Sequence, residues 1–256
     1  MVDAWHRRIE MRRIVMRRIV MAILGLYVLL GTAYSLLTPL FEMSDEVSHY
    51  PLVRHLAASG FDLPVQDPAR PDAWRQEGNQ PPLYYLLAAL GTLFIDTSDY
   101  RSVYQINPHA DVGIIPPDGN INLVVHDPDR EALPWYGTAL AAHVARFFSV
   151  LLGAGTALAT YLTGREVFPH WPEVALGGAA LNNDNLSNFL AGLLVWQLAR
   201  LLNAPSVPGY GTYVGLGITA GAGMLAKVSL GFLLPLVALA LLVISLRRRD
   251  WRPLVI

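Results

Sequence analysis

The sequence predicts an all-α protein: a polytopic transmembrane helical bundle whose large extracytoplasmic first loop carries juxtamembrane helices. Composition and charge pattern lead there. Hydrophobic residues make up 53% of the 256 and charged residues only 15%, where a soluble domain of this length carries about a quarter charged. The charge is also segregated. Residues 42–138 hold fourteen of the twenty acids but only five of the nineteen Lys and Arg. Arginines crowd the two ends instead, from Arg7 to Arg18 and from Arg247 to Arg252. Arginine and lysine mark the cytoplasmic side of membrane proteins, so residues 42–138 are expected outside. The chain has no cysteine, which excludes a disulfide framework and a thiolate metal site.

The elements follow in order. Residues 1–18, with the direct repeat "MRRIVMRRIV", read as a basic cytoplasmic N-terminus, because five residues is not a helical period. No charge interrupts residues 19–41, enough for a first transmembrane helix of roughly 20 residues. An A-x-A-like cleavage site of a signal peptide is not found there. Residues 139–246 read as a transmembrane helical region, with uncharged runs at 147–164, 185–199, 201–226 and 228–246. Between them, 174–183 is uncharged but spans only about 15 Å as a helix. If it crosses, Arg200 and the Arg247 cluster both lie inside, which gives six crossings with a short third one. Pro205 and Pro208 mark a turn before the last pair. Residues 247–256 form a basic cytoplasmic end that reads as cut off before a further helix. The expected location is the plasma (inner) membrane, multi-pass, with the N-terminus cytoplasmic.

Chemistry concentrates in the outer loop. "FEMSDEVSHY" (41–50) presents Asp45, Glu46 and His49 directly after the first span. Ser44 is the expected N-cap of a helix that Gly60 stops and Pro51 kinks. Asp45 and Glu46 then fall in its first turn, where the helix dipole favours carboxylates. Such acids often do no more than cap a helix. Asp45 and His49, four apart, share one helical face. Further on, "EGNQPPLYYLLAALGTLF" (77–94) continues from a rigid Gln-Pro-Pro into an apolar helix too short to span. Tyr84 and Tyr85 suit the headgroup region. A polar, Pro- and Asp-rich excursion occupies residues 96–134. His49, His55, His109 and His126 lack metal-ligand spacing and read as solvated loop residues.

A first transmembrane helix, an immediate Asp-Glu pair and a Pro-Pro-Leu-Tyr-Tyr juxtamembrane helix resemble the GT-C superfamily of membrane glycosyltransferases. Aminoarabinose transferases and protein O-mannosyltransferases, which use polyprenyl-phosphate sugars, belong to it. "ARFFSVLLGAGTALATYLTGREVFP" (145–169), "NNDNLSNFLAGLLVWQLAR" (182–200) and "GLGITAGAGMLAKVSL" (215–230) extend the similarity over nearly the whole chain, as the N-terminal half of what such enzymes need.

The resemblance implies transfer of a sugar from a polyprenyl-phosphate carrier to a hydroxyl of a lipid, glycan or protein acceptor on the extracytoplasmic side. Asp45 matches the family's loop aspartate, the general base, and Glu46 would orient the acceptor. His49 would share a proton or position the phosphate. Several relatives have Lys or His before the Pro-Pro pair, whereas Asn79 and Gln80 stand here, so positive charge would come from Arg146 or Lys227. Asp184, within a helix-capping "NNDN", matches a further family acid, though relatives have a longer segment before it. No particular cofactor is implied, and a divalent metal is left open. Competing readings are a polytopic transporter or accessory membrane protein without catalysis, or an inactive truncated fragment. Transporters place ionisable groups at the bilayer midplane, where only Asp184 and Lys227 qualify. Nucleic acid is not an expected partner, because the basic residues flank spans rather than forming a patch with aromatics.

Overall fold

The computed structural model describes residues 2–65, 73–110, 119, 121–168, 185–206, 208–249 and 251, with side chains from residue 11 onward except those of 12 and 13. The protein is helical, and no strand forms among the described residues; Ile106 and Val124 make an isolated antiparallel bridge. In order come α1 (Val2–Leu37), α2 (Glu46–Ser59), a 3-10 turn (Arg75–Asn79), α3 (Leu83–Thr92), α4 (Tyr100–Val103) and α5 (Pro128–Glu131). The long α6 (Gly137–Val167), α7 (Asn185–Asn203), α8 (Tyr210–Ala226), a second 3-10 turn (Val228–Leu233) and α9 (Leu234–Arg248) follow.

Three helical segments are long and apolar enough to cross a membrane: Ile14–Leu37, Gly137–Val167 and Val228–Arg248. The first keeps Leu26, Leu29, Leu30 and Leu37 exposed, as lipid contact demands and water does not tolerate in bulk. The turn expected at Pro205 and Pro208 falls between two helices: α7 ends at Asn203 and α8 begins at Tyr210, so the uncharged run at 201–226 starts inside α7. The expected short crossing at 174–183 lies outside the described residues.

The chain divides into two compact units, residues 31–149 and residues 1–30 with 150–256. In the latter, Leu194, Leu198 and Leu201 of α7 recur at helical spacing and pack with Tyr213 and Leu216 of α8 and Ala240 and Ile244 of α9. Gln197 donates to Thr219 across the α7–α8 contact at 3.1 Å. Lys227, in extended conformation, breaks the chain between α8 and the second 3-10 turn.

Residues 31–149 contain the whole of the segment 42–138. Leu52, Val53 and Leu56 of α2 pack on Tyr85, Ala88 and Ala89 of α3. Phe41, Val47, Tyr50, Val103 and Val124 close a second core on Ala139, Ala141 and Ala142 of α6. Gly60 stops α2 in the left-handed conformation, its N–H on the Leu56 carbonyl. Pro51 leaves the Val47 carbonyl without its helical donor, and the Tyr104 hydroxyl supplies one at 2.6 Å. Asp99 takes the place of a local cap on α6, accepting from the Thr138 backbone N–H at 2.9 Å and the Thr138 hydroxyl at 2.7 Å.

Candidate functional site

The site grows from the way α1 ends. Pro39 has no N–H, so the Ser35 carbonyl four residues earlier has no helical partner. Arg146 of α6 fills the gap. Its Nη1 donates to the Ser35 and Thr38 carbonyls at 2.7 and 2.8 Å, and its Nη2 to the Pro39 carbonyl at 2.7 Å. The remaining donors take Glu46 in a two-pronged grip, Nε to Oε1 and Nη2 to Oε2, both at 2.6 Å. Guanidinium carries five N–H donors, and all five are spent on the protein. With 4% of its side chain exposed, Arg146 has no N–H left for a phosphate. The structure gives it, and Glu46 with it, a positioning task.

This grip reshapes the turn. Glu46 Oε2 also accepts from the Phe41 N–H at 2.8 Å, folding residues 41–46 back on themselves. Phe41 and Asp45 are both left-handed, at φ 65° and 58°. A bulky aromatic in that region is an outlier, and backbone strain gathers at sites where function requires it. The expected Ser44 cap is corrected: helix α2 starts at Glu46, Asp45 is the N-cap, and its side chain makes no capping hydrogen bond. Asp45 is exposed, and among the described residues nothing donates to its carboxylate. The alternative that Asp45 does no more than cap the helix has no side-chain capping bond behind it. What stands at the start of α2, eight residues after the apolar α1 ends, is an uncommitted carboxylate on a strained, clamped backbone.

One turn further along α2 lies His49. Its Nδ1 is 2.8 Å from the Tyr85 hydroxyl, which donates to Glu77 Oε2 at 3.1 Å. Glu77, from the 3-10 turn, is only 5% exposed and lies 3.5 Å from His49 Nδ1. Tyr85 is buried within the protein, and Tyr84 joins Ser149 at 2.8 Å. Sequence reasoning gave Glu77 no role and read Tyr85 only as an interfacial residue; the signal for Glu77 was an acid two residues before the Asn79–Gln80 pair. Asn79 and Gln80 themselves are exposed at the end of that turn.

The solvated reading holds for His109, which is exposed, and is corrected elsewhere. His126 is clamped between Glu42, 3.2 Å from Nε2, and Glu131, 3.0 Å from Nδ1, and His55 lies against Trp74. Among the described residues no three His, Asp or Glu side chains converge as ligands for one metal ion. A cavity of about 290 Å³ borders Tyr50, Arg54 and Thr97. Arg54 is held there over the Tyr100 ring, 4.3 Å from its centroid.

The structure therefore gathers Asp45, Glu46, His49 and Arg146 in one unit, with Asn79 and Gln80 beside Glu77. Lys227 belongs to the other unit. Asp184 lies outside the described residues. No protein-family model, curated protein or solved structure matches the chain.

Proposed function

We propose that the protein is an integral-membrane glycosyltransferase of the GT-C kind. It moves a sugar from a polyprenyl-phosphate carrier to a hydroxyl acceptor on the extracytoplasmic face of the plasma membrane. The observation that carries this reading is Asp45: an exposed carboxylate without a donor, eight residues after the apolar α1 ends, on a backbone fixed by the buried Glu46–Arg146 pair. A polyprenyl-phosphate sugar already carries its leaving group. Deprotonating the acceptor is what remains for the protein, and an uncommitted carboxylate where lipid meets water meets that need.

The neighbouring elements fit a surface position. On α3, Leu87 and Leu90 are exposed and are continued by Leu93 and Phe94, the last 90% exposed. That makes an apolar stripe on a helix too short to span, suited to lying in the interface. The segregation of acids into residues 42–138 and of arginines to the two ends supports a topology with this face outside.

The test is transfer by the reconstituted chain from a panel of polyprenyl-phosphate hexoses and pentoses. Asp45→Asn tolerates the left-handed backbone but cannot take a proton, so it should lower transfer by about 10²- to 10⁴-fold, the usual worth of general-base help. Its helix content should match wild type. Wild-type turnover by Asp45→Asn would remove Asp45 as base.

A further inference from the structure

We infer that His49 is the phosphate contact of the site: its Nε2 donates to the departing phosphate oxygen, and buried Glu77 backs the ring through Tyr85. This rests on the polyprenyl-phosphate reading above. The geometry fixes the direction of each bond. A phenol has one hydrogen, and an ionised carboxylate only accepts. With the Tyr85 hydrogen on Glu77 Oε2 at 3.1 Å, the Tyr85 oxygen is left to accept. The 2.8 Å contact then runs from His49 Nδ1–H to Tyr85. That turns Nε2 outward: the side chain is 38% exposed, and among the described residues Nε2 has no partner.

Arg146 has spent every N–H, Arg54 stacks on Tyr100, and Asn79 and Gln80 are neutral. A proton on Nε2 makes His49 a cation whose Nδ1 lies 3.5 Å from Glu77. The charged and titratable groups around it are Asp45 and Glu46 on α2, Tyr85 on α3, Glu77 on the 3-10 turn, and Arg146 of α6, which occupies Glu46. Asp45 lies one turn before His49, whose N–H bonds the Asp45 carbonyl at 3.0 Å.

Base and anion contact thus stand one turn apart, Asp45 at the N-cap of α2 and His49 in its first turn. In the transfer step the acceptor O–H breaks and its proton goes to the Asp45 carboxylate. The acceptor oxygen bonds to the anomeric carbon, and the carbon–phosphate oxygen bond breaks with its electron pair staying on the phosphate. His49 Nε2–H donates to that oxygen as its charge grows.

Binding of a phosphate and protonation of Nε2 are coupled, so the ring reports both. The chain, ¹⁵N-labelled at histidine and held in nanodiscs, is titrated separately with a short polyprenyl phosphate and with inorganic phosphate, and His49 is assigned by His49→Gln. The polyprenyl phosphate should move the His49 Nε2 resonance toward the protonated position in wild type and in Asp45→Asn alike. Glu77→Gln and Tyr85→Phe should each bind it about tenfold more weakly, the share a charge-assisted contact carries. Lipid-phosphate binding that leaves the His49 resonances in place overturns the inference while leaving the donor reading intact. Absence of any lipid-phosphate binding by wild type overturns the donor reading and the inference with it. Equal response to inorganic phosphate keeps the anion contact but overturns the lipid as its source.

Discussion

Replacing Arg146 by Met tests the structural half of the argument. The side chain is similar in length and apolar, so packing of the stem is kept while all five hydrogen bonds are lost. Arg146 and Glu46 have only 4% and 12% of their side chains exposed. Removing one partner of a buried pair costs about 3–5 kcal/mol, because the other charge stays buried and uncompensated. The Ser35, Thr38 and Pro39 carbonyls lose their donors as well; at a helix end, water replaces part of that. Against a domain stability of about 5–15 kcal/mol, Arg146→Met should remove about a fifth or more.

Denaturant unfolding in detergent micelles, followed by tryptophan fluorescence, measures this loss. Arg146→Lys should recover little, because an ammonium cannot reach a carboxylate and three carbonyls with a planar fork. In a double-mutant cycle with Glu46→Gln, the pair of changes should cost less than their sum, by about 0.5–3 kcal/mol, since the second no longer strands a charge. The exposed Arg130–Asp127 pair at 2.9 Å serves as the contrast, worth under about 1 kcal/mol. An Arg146→Met protein with wild-type stability would refute the view that this residue holds the turn.

Two further outcomes follow. Burial pushes Tyr104 up to about 12 and raises Tyr50 and Tyr100 as well. A phenol raised in the folded state stabilises fully below its unfolded value, about 10, and that stability is lost as pH rises through the folded value. Tyrosinate absorbance and near-UV circular dichroism should therefore change together between about pH 10 and 12; complete ionisation near pH 10 with the fold intact would contradict the buried cluster. Separately, Asp45→Gly should leave stability within about 1 kcal/mol of wild type, because glycine accepts φ 58° freely and no capping bond is lost, yet it should abolish transfer. A cooperative loss of α2 in that variant, seen by hydrogen exchange, would show that the side chain was structural.

Local chemistry was legible in the sequence, and long-range pairing was not. Gly60 ends α2, Pro82 precedes α3 as its cap, and the apolar run from Leu83 forms the expected short helix. Each of these depends on φ preferences or spacing within a few residues. The Ser44 cap failed for a reason one hundred positions away: Arg146 draws Glu46 in, and Glu46 in turn binds the Phe41 N–H. Seen locally, Ser44 has the better capping chemistry; in the fold, a two-pronged charged hydrogen bond outweighs it. The same holds for Glu77, Tyr85 and His49, which come from three elements and meet only when α2 packs on α3. Prolines gave half of two stories. Pro39 and Pro51 announce missing donors, but nothing nearby names Arg146 and Tyr104 as the groups that replace them.

Magnitudes explain why the strain settles where it does. Left-handed backbone costs about 1–2 kcal/mol for a residue such as Phe41, and less for Asp45, since Asp visits that region more readily. Burying the Phe41 ring completely, edge-on to Tyr104 and tilted against Tyr50, returns about 1.5–3 kcal/mol. The Phe41 cost is therefore offset within its own core, before any contribution from the arginine. Asp45 has no such return: its side chain is exposed and bonds nothing among the described residues. Its conformation is imposed by the clamped residues on either side, Phe41 through its N–H and Glu46 through its carboxylate. The turn thus fixes the backbone of Asp45 through its neighbours while leaving its carboxylate without a capping bond, which is the geometry that the proposed base requires.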